Sequence, residues 1–233
     1  MSAFLKVLEN EVQIAALSFM AVVYFARLVW LFRFRSSPER TFPAGNARTG
    51  IALSMLNVTM PWAMESTRKN PAFYAQFVVF HVGVVLGIAA TFIIPYRPEL
   101  FTITPVVRTF QAALGAAFVV GLLRLGRRLS KPALRLISTV DDYLSLSLMT
   151  AFFLAGALAV PNRWEEGEGA LIAFFALTAF FLVYVPFSKI CHYLYYPFTR
   201  FYLGRMQGHR GVVAKIRRLP GGPAPASGAG AGR

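Results

Sequence analysis

The chain is poor in the residues that carry most soluble chemistry. Its 233 positions hold one cysteine (Cys191), three histidines (His81, His192 and His209) and ten acids against 24 Lys and Arg. A lone thiol excludes an intramolecular disulfide. It also excludes iron–sulfur ligation by this chain alone, because such clusters need several thiolates. No hydrolytic triad and no phosphate-binding loop is present, so independent catalysis is not indicated. Strand-sized alternating segments are missing, which argues against a membrane barrel. The first ten residues lack a positive region leading into a short apolar core and a small-residue cleavage site, so the first apolar run reads as a retained helix.

What the chain has is apolar residue in blocks: 56% of it is hydrophobic, including 22 phenylalanines. A helix crossing hydrocarbon needs roughly 20 mostly apolar residues, since each adds only about 1.5 Å. Five stretches meet that length: Val12–Phe32, Phe73–Ile94, Val106–Leu125, Tyr143–Val160 and Leu171–Tyr193. The expected fold is an all-α five-helix membrane bundle over residues 1–205. A basic and then low-complexity tail follows over 206–233, with the stretch from Pro220 onward expected to be disordered. The shorter run Ile51–Met64 carries Asn57 and Pro61 and reads as a re-entrant or surface-lying piece.

The net charge of +14 is sorted by loop. Arg33, Arg35, Arg40, Arg48, Arg68 and Lys69 lie between the first two spans. Arg124, Arg127, Arg128, Lys131 and Arg135 lie between the third and fourth. Arg200, Arg205, Arg210, Lys215, Arg217 and Arg218 follow the fifth. The opposite side holds Lys6, Glu9 and Glu11, then Arg97 and Glu99, then Arg163 with Glu165, Glu166 and Glu168. Lys and Arg are retained on the cytoplasmic side, which puts the N-terminus outside and the C-terminus in the cytoplasm. The basic excess is accounted for by this sorting and by attraction to anionic lipid, with docking of an acidic cytoplasmic partner as the sharper reading. No basic-aromatic module stands apart from the spans, so nucleic acid is not an expected partner.

Histidine inside a span is costly unless it has a partner, and so points to function. His81 lies about 15 Å along the second span from its cytoplasmic end, and His192 about 8 Å from the exit of the fifth, at 1.5 Å per residue. Both belong to the inner leaflet. Two imidazoles facing one another there are what a bis-histidine haem b needs. Gly83, Gly87 and Gly121 would admit a backbone or a flat ring closely. The competing reading is that each histidine hydrogen-bonds a neighbouring helix. Two histidines suit a haem better than zinc, which normally takes three or four protein ligands. His209, in the tail, reads as a solvated surface residue. Pro186 is expected to kink the fifth span. Asp141 and Asp142 read as helix caps, with proton relay as the minority reading.

Three pieces of the sequence carry a family resemblance: Phe80-His81-Val-Gly, Arg127-Arg-Leu-Ser-Lys-Pro-Ala-Leu-Arg135 leading to Asp142, and Pro186-Phe-Ser-Lys-Ile-Cys-His192 followed by Pro197. Over residues 70–205 the chain resembles the cytochrome b (gamma) subunit of respiratory nitrate reductases. It is also similar to the related subunits of sulfate-reducer and heterodisulfide-reductase-like complexes. In the nitrate-reductase type each of the two helices supplies two histidines, and two haems are held. Here Thr91 and about Phe174 stand at the outer positions, and neither is a normal axial ligand. The resemblance therefore implies one haem b, held by His81 and His192, in a multi-pass subunit of the cell inner membrane.

That subunit would pass electrons between the quinone pool and a cytoplasmic redox partner, iron–sulfur or other. It would be a quinone-reacting or non-catalytic member of an oxidoreductase complex. Candidate propionate partners are Arg27, Lys189 and Arg200, and Arg108 is a candidate quinone contact. The alternative is a small transporter or membrane scaffold subunit without haem, although no internal repeat supports a transporter.

Overall fold

The computed structural model describes residues 1–34, 39–60, 62 and 64–212, apart from the side chains of Val58 and Ser66. Arg35, Pro61, Lys215, Arg217, Arg218 and the low-complexity stretch 220–233 lie outside the described residues. The described residues are all-helical: α1 Ala3–Glu9, α2 Glu11–Arg33, α3 Ala47–Leu56, α4 Glu65–Lys69, α5 Pro71–Tyr96, α6 Thr104–Ser130, α7 Pro132–Leu136, α8 Val140–Ala159, α9 Gly169–Tyr184 and α10 His192–His209. Five segments are long and apolar enough to cross a membrane: Ala3–Arg33, Pro71–Tyr96, Thr104–Ser130, Val140–Ala159 and Gly169–Phe187. The protein is a multi-pass membrane protein whose helices contact lipid.

The chain forms two compact units. Met1–Phe34 and Ala72–Cys191 make the first; Arg35–Pro71 and His192 onward make the second. All five spans belong to the first, with only Pro71 at the start of α5 assigned to the second.

Within the first unit the span seams are built from phenylalanine and glycine. Phe153, Phe174 and Phe175 are fully buried. Phe152 stacks on Phe174 with centroids 5.1 Å apart, and Phe153 meets Phe80 edge-on at 4.9 Å. The first span starts earlier than the apolar run suggests. Ser2 caps α1, its hydroxyl accepting from the Leu5 amide at 3.2 Å, and α1 buries Leu5, Leu8 and Glu9. Asn10 separates α1 from α2. Gln13 then donates from Nε2 to the carbonyls of Leu8 and Phe175, at 3.1 and 2.8 Å, tying α2 to α9.

The fifth span ends earlier than the sequence reading to Tyr193. Its helix stops at Tyr184, and two single 3-10 turns, Val185–Phe187 and Lys189–Cys191, follow. Pro186 has no N–H to donate and crowds the preceding turn, so the expected kink is a full break. Helix resumes at His192 as α10, which reaches His209 and so takes in the first residues of the expected tail.

The second unit pairs α3 with α10 through glycine. A Cβ built on Gly50 would lie 2.2 Å from the Gly204 carbonyl oxygen, and one on Gly208 would lie 2.5 Å from the Asn46 oxygen. Gly204 and Gly208 are four residues apart and so share a helix face. Asn46 caps α3, accepting from Arg48 and Thr49 amides at 2.9 and 3.3 Å. Arg210 pairs with Glu39 at 2.9 Å, and His209 Nε2 donates to the Thr41 carbonyl at 2.7 Å. The run read as re-entrant or surface-lying is, over its first part, this packed helix.

Candidate functional site

His81 sits ten residues into α5. Its Nδ1 is 2.7 Å from the carbonyl of Phe77, one turn back on the same helix. A carbonyl only accepts, so Nδ1 carries the proton and Nε2 carries the lone pair. Among the described residues Nε2 has no hydrogen-bond partner. The Phe77 ring lies 4.1 Å from the imidazole, centroid to centroid, and Phe80 flanks it at 6.2 Å. Second-partner bonding of this kind fixes tautomer and ring direction in histidines that ligate metals.

Helical geometry separates His81 from the packed seam. The buried stripe of α5 is Gly83, Gly87, Ala90 and Ile94. At 100° per residue, His81 is turned roughly 160° from Gly83. The three glycines expected to leave room for a flat ring are filled by neighbouring side chains. A Cβ on Gly83 would lie 2.3 Å from that of Ala117, one on Gly87 2.5 Å from Phe152, and one on Gly121 2.4 Å from the Thr150 hydroxyl. They serve helix packing. The His81 face, with Tyr74, Phe77 and Val84, is half-buried.

His192 is the exposed first residue of α10, in the second unit. The other residues singled out from sequence have varied surroundings. Arg27 donates from Nη1 to Cys191 Sγ at 3.2 Å, and its guanidinium lies 5.6 Å from the Phe187 ring centroid. Arg200 lies over Tyr196 at 5.2 Å. Lys189 is engaged by protein: its ammonium donates to Asp142 at 2.7 Å and to the Thr139 hydroxyl at 2.9 Å. Arg108 borders a cavity of about 420 Å³ with Thr104, Gln111 and Arg163.

Asp142 caps α8 as expected, whereas Asp141, expected to do the same, turns to other elements. Asp142 accepts from the Thr139 amide at 2.8 Å and completes a capping box. Asp141 accepts from the Tyr184 hydroxyl and, at 3.0 Å, from the Lys189 amide, so it stitches the end of α9 to the start of α8. Arg128 donates to Ser138 at 2.6 Å and lies 3.8 Å from Asp142.

Sequence reasoning missed a second feature of this unit. Arg124 and Arg127 read as loop charges, but α6 extends through them to Ser130. The Arg127 guanidinium covers Phe73 at 3.8 Å, and Arg124 covers Phe80 at 5.1 Å. The Nε of each is buried and unpartnered. The legible signal was two arginines three apart, opposite phenylalanines seven apart on the preceding span.

A protein of Nitratidesulfovibrio vulgaris strain Hildenborough, known simply as "Protein", is 27% identical over 161 residues, covering 66% of this chain and 70% of its own length. No family model matches the chain, and no solved structure matches it.

Proposed function

We propose that the chain is a single-haem b-type cytochrome subunit. It would pass electrons between the quinone pool of the cell inner membrane and a redox partner, iron–sulfur or other, on its basic cytoplasmic face. One observation carries the reading: His81 lies within a span, on the less covered side of α5, with Nδ1 held by Phe77 and the Nε2 lone pair left over. That is the donor state an axial imidazole needs. Haem b, when bound, supplies one-electron exchange at its iron. His81 and His192 would hold it, with Arg27 and Arg200 as candidate propionate partners, while Lys189 is already engaged by Asp142. Arg108, beside its cavity, is the candidate quinone contact. The resemblance to the nitrate reductase gamma type supports the same role and orientation.

The test is spectroscopic. Protein purified from haem-replete cells should show b-type reduced-minus-oxidised absorbance and about one haem per chain. His81→Ala and His192→Ala should each abolish haem retention, whereas His209→Ala should not. A haem-free preparation that is nevertheless folded would overturn the reading. It would favour the scaffold or transporter alternative, in which the His81–Phe77 bond is simply how a half-buried imidazole within a span satisfies itself.

A further inference from the structure

We propose that Arg124 and Arg127 form a binding site for the phosphodiester headgroup of an anionic phospholipid. The starting observation is charge without a counter-charge. Both guanidiniums are half-buried, and both Nε donors are buried with no partner. Among the described residues neither arginine has a hydrogen bond or an ion pair; each has only the face of a phenylalanine. The adjacent Arg128 differs, being satisfied by Ser138 and Asp142. A buried donor left unpaired is rare in a finished structure and calls for an explanation. Two guanidiniums without a counter-charge, three residues apart on one helix and each held against a phenylalanine ring, suit a group with several anionic oxygens.

The surroundings say how that group arrives. Phe73 is 41% exposed, and Leu123, beside Arg124 on α6, is 57% exposed. These side chains belong to the face that hydrocarbon covers. The headgroup therefore approaches from the bilayer with its acyl chains along them. Depth agrees: Arg124 stands 20 residues, about 30 Å, from the start of α6, one hydrocarbon thickness away. This is the end that the basic loops assign to the cytoplasm, where pockets of Lys and Arg between spans meet anionic lipid. A haem propionate is a poorer occupant. Phe80 and His81 are consecutive, so their side chains diverge by about 100° around α5, and the arginines follow Phe80.

The full-length protein would be extracted in mild detergent, and its retained lipid quantified by native mass spectrometry. It would then be placed in nanodiscs of phosphatidylcholine alone or with phosphatidylglycerol or cardiolipin. The expected result is selective retention of anionic lipid, and a thermal midpoint raised by the anionic nanodiscs. Arg124→Gln with Arg127→Gln should lower retained anionic lipid at least tenfold, whereas Arg135→Gln, in the neighbouring helix α7, should leave it unchanged. Arg124→Lys with Arg127→Lys keeps the charge but loses the planar fork that grips two oxygens at once, and should lose most of the retention. If the glutamine pair fails to fold, the lysine pair and the wild-type lipid selectivity still decide. Millimolar inorganic phosphate should not displace the lipid; displacement would mean that the site takes free phosphate. Equal retention of phosphatidylcholine, or retention unaltered in the lysine pair, would overturn the proposal. Loss of haem with lipid intact would assign the arginines to propionates instead. The lipid readout does not depend on haem being present, so its failure and that of the cytochrome reading are separable.

Discussion

The two units of the chain reach close packing by opposite means. In the span-containing unit, large side chains fill the seams: Phe152, Phe153, Phe174 and Phe175 meet one another, and glycines recess to receive them. In the α3–α10 pair, side chains are withdrawn and backbone meets backbone across Gly50, Gly204 and Gly208. The difference teaches where tolerance lies. A phenylalanine can be trimmed and its neighbours relax in part. A backbone carbonyl 2.2 Å from an added Cβ has nowhere to go.

Gly50→Leu should therefore produce the largest effect of any single change considered. Side-chain overpacking costs about 1–3 kcal/mol, and a clash with the Gly204 oxygen and the Gly208 backbone exceeds that range. Hydrogen exchange should show α3 and α10 amides losing protection by on the order of a hundredfold or more, from about 3 kcal/mol at 1.4 kcal/mol per decade, while α8 and α9 keep theirs. Unchanged protection of α10 would show that the glycine contact is not what holds the pair.

Phe174→Ala sharpens the contrast from the other side. In a water-soluble core such a truncation costs about 3–5 kcal/mol. Lipid is as apolar as the seam, so the transfer part of that cost largely vanishes and the lost dispersion contacts remain, leaving about 2 kcal/mol. A lowered thermal midpoint with α3–α10 exchange unaltered is the expected result.

How much of this was legible depends on what kind of signal the sequence carries. Hydropathy blocks located all five spans, because apolar length is a sum over residues and needs no knowledge of partners. The ends were less legible. A sum does not register that Asn10 breaks the first helical run, nor that Pro186 interrupts hydrogen bonding and stops the fifth at Tyr184. The Gly204–Gly208 spacing lies in a polar helix that hydropathy passes over, and its significance depends on Gly50, 154 positions away. At the candidate site, the half-buried setting of His81 followed from its position within a span. The tautomer set by Phe77 and the orphaned donors of Arg124 and Arg127 depended on where side chains turn. The Asp142 cap was legible because a cap is local; its Lys189 partner was not, since 47 positions separate them.

The Asp142–Lys189 pair tests whether the span unit depends on polar stitching as well as on aromatic fit. Lys189 is largely exposed, so the ion pair itself is worth at most about 1 kcal/mol, and loss of the capping box adds about 1 kcal/mol. Asp142→Ala should lower the thermal midpoint modestly, and Lys189→Met by less, since it leaves the Thr139 cap intact. If Lys189→Met cost as much as Asp142→Ala, the cap would not be the larger contribution.

The smallest expected effect is at the other end of the same unit, and it depends on pH. Hydrogen bonds from the Ser2 hydroxyl and amide, with the N-terminal cation at 3.8 Å, hold the Glu168 carboxyl below the usual glutamate range against the opposing effect of desolvation. A depressed folded pKa means that the unfolded chain binds the proton more readily. The resulting stability is present in full above the unfolded value of about 4.3 and is lost as pH falls through the lower folded value. Glu168→Gln removes that titration and leaves every other acid in place. The difference in thermal midpoint between wild type and variant should be constant from neutral pH down to about 5, then shrink as the solution is acidified further. A difference independent of pH across that window would mean that the ionised carboxylate does not anchor the first turn of α1, and that burial of Leu5 and Leu8 holds it alone.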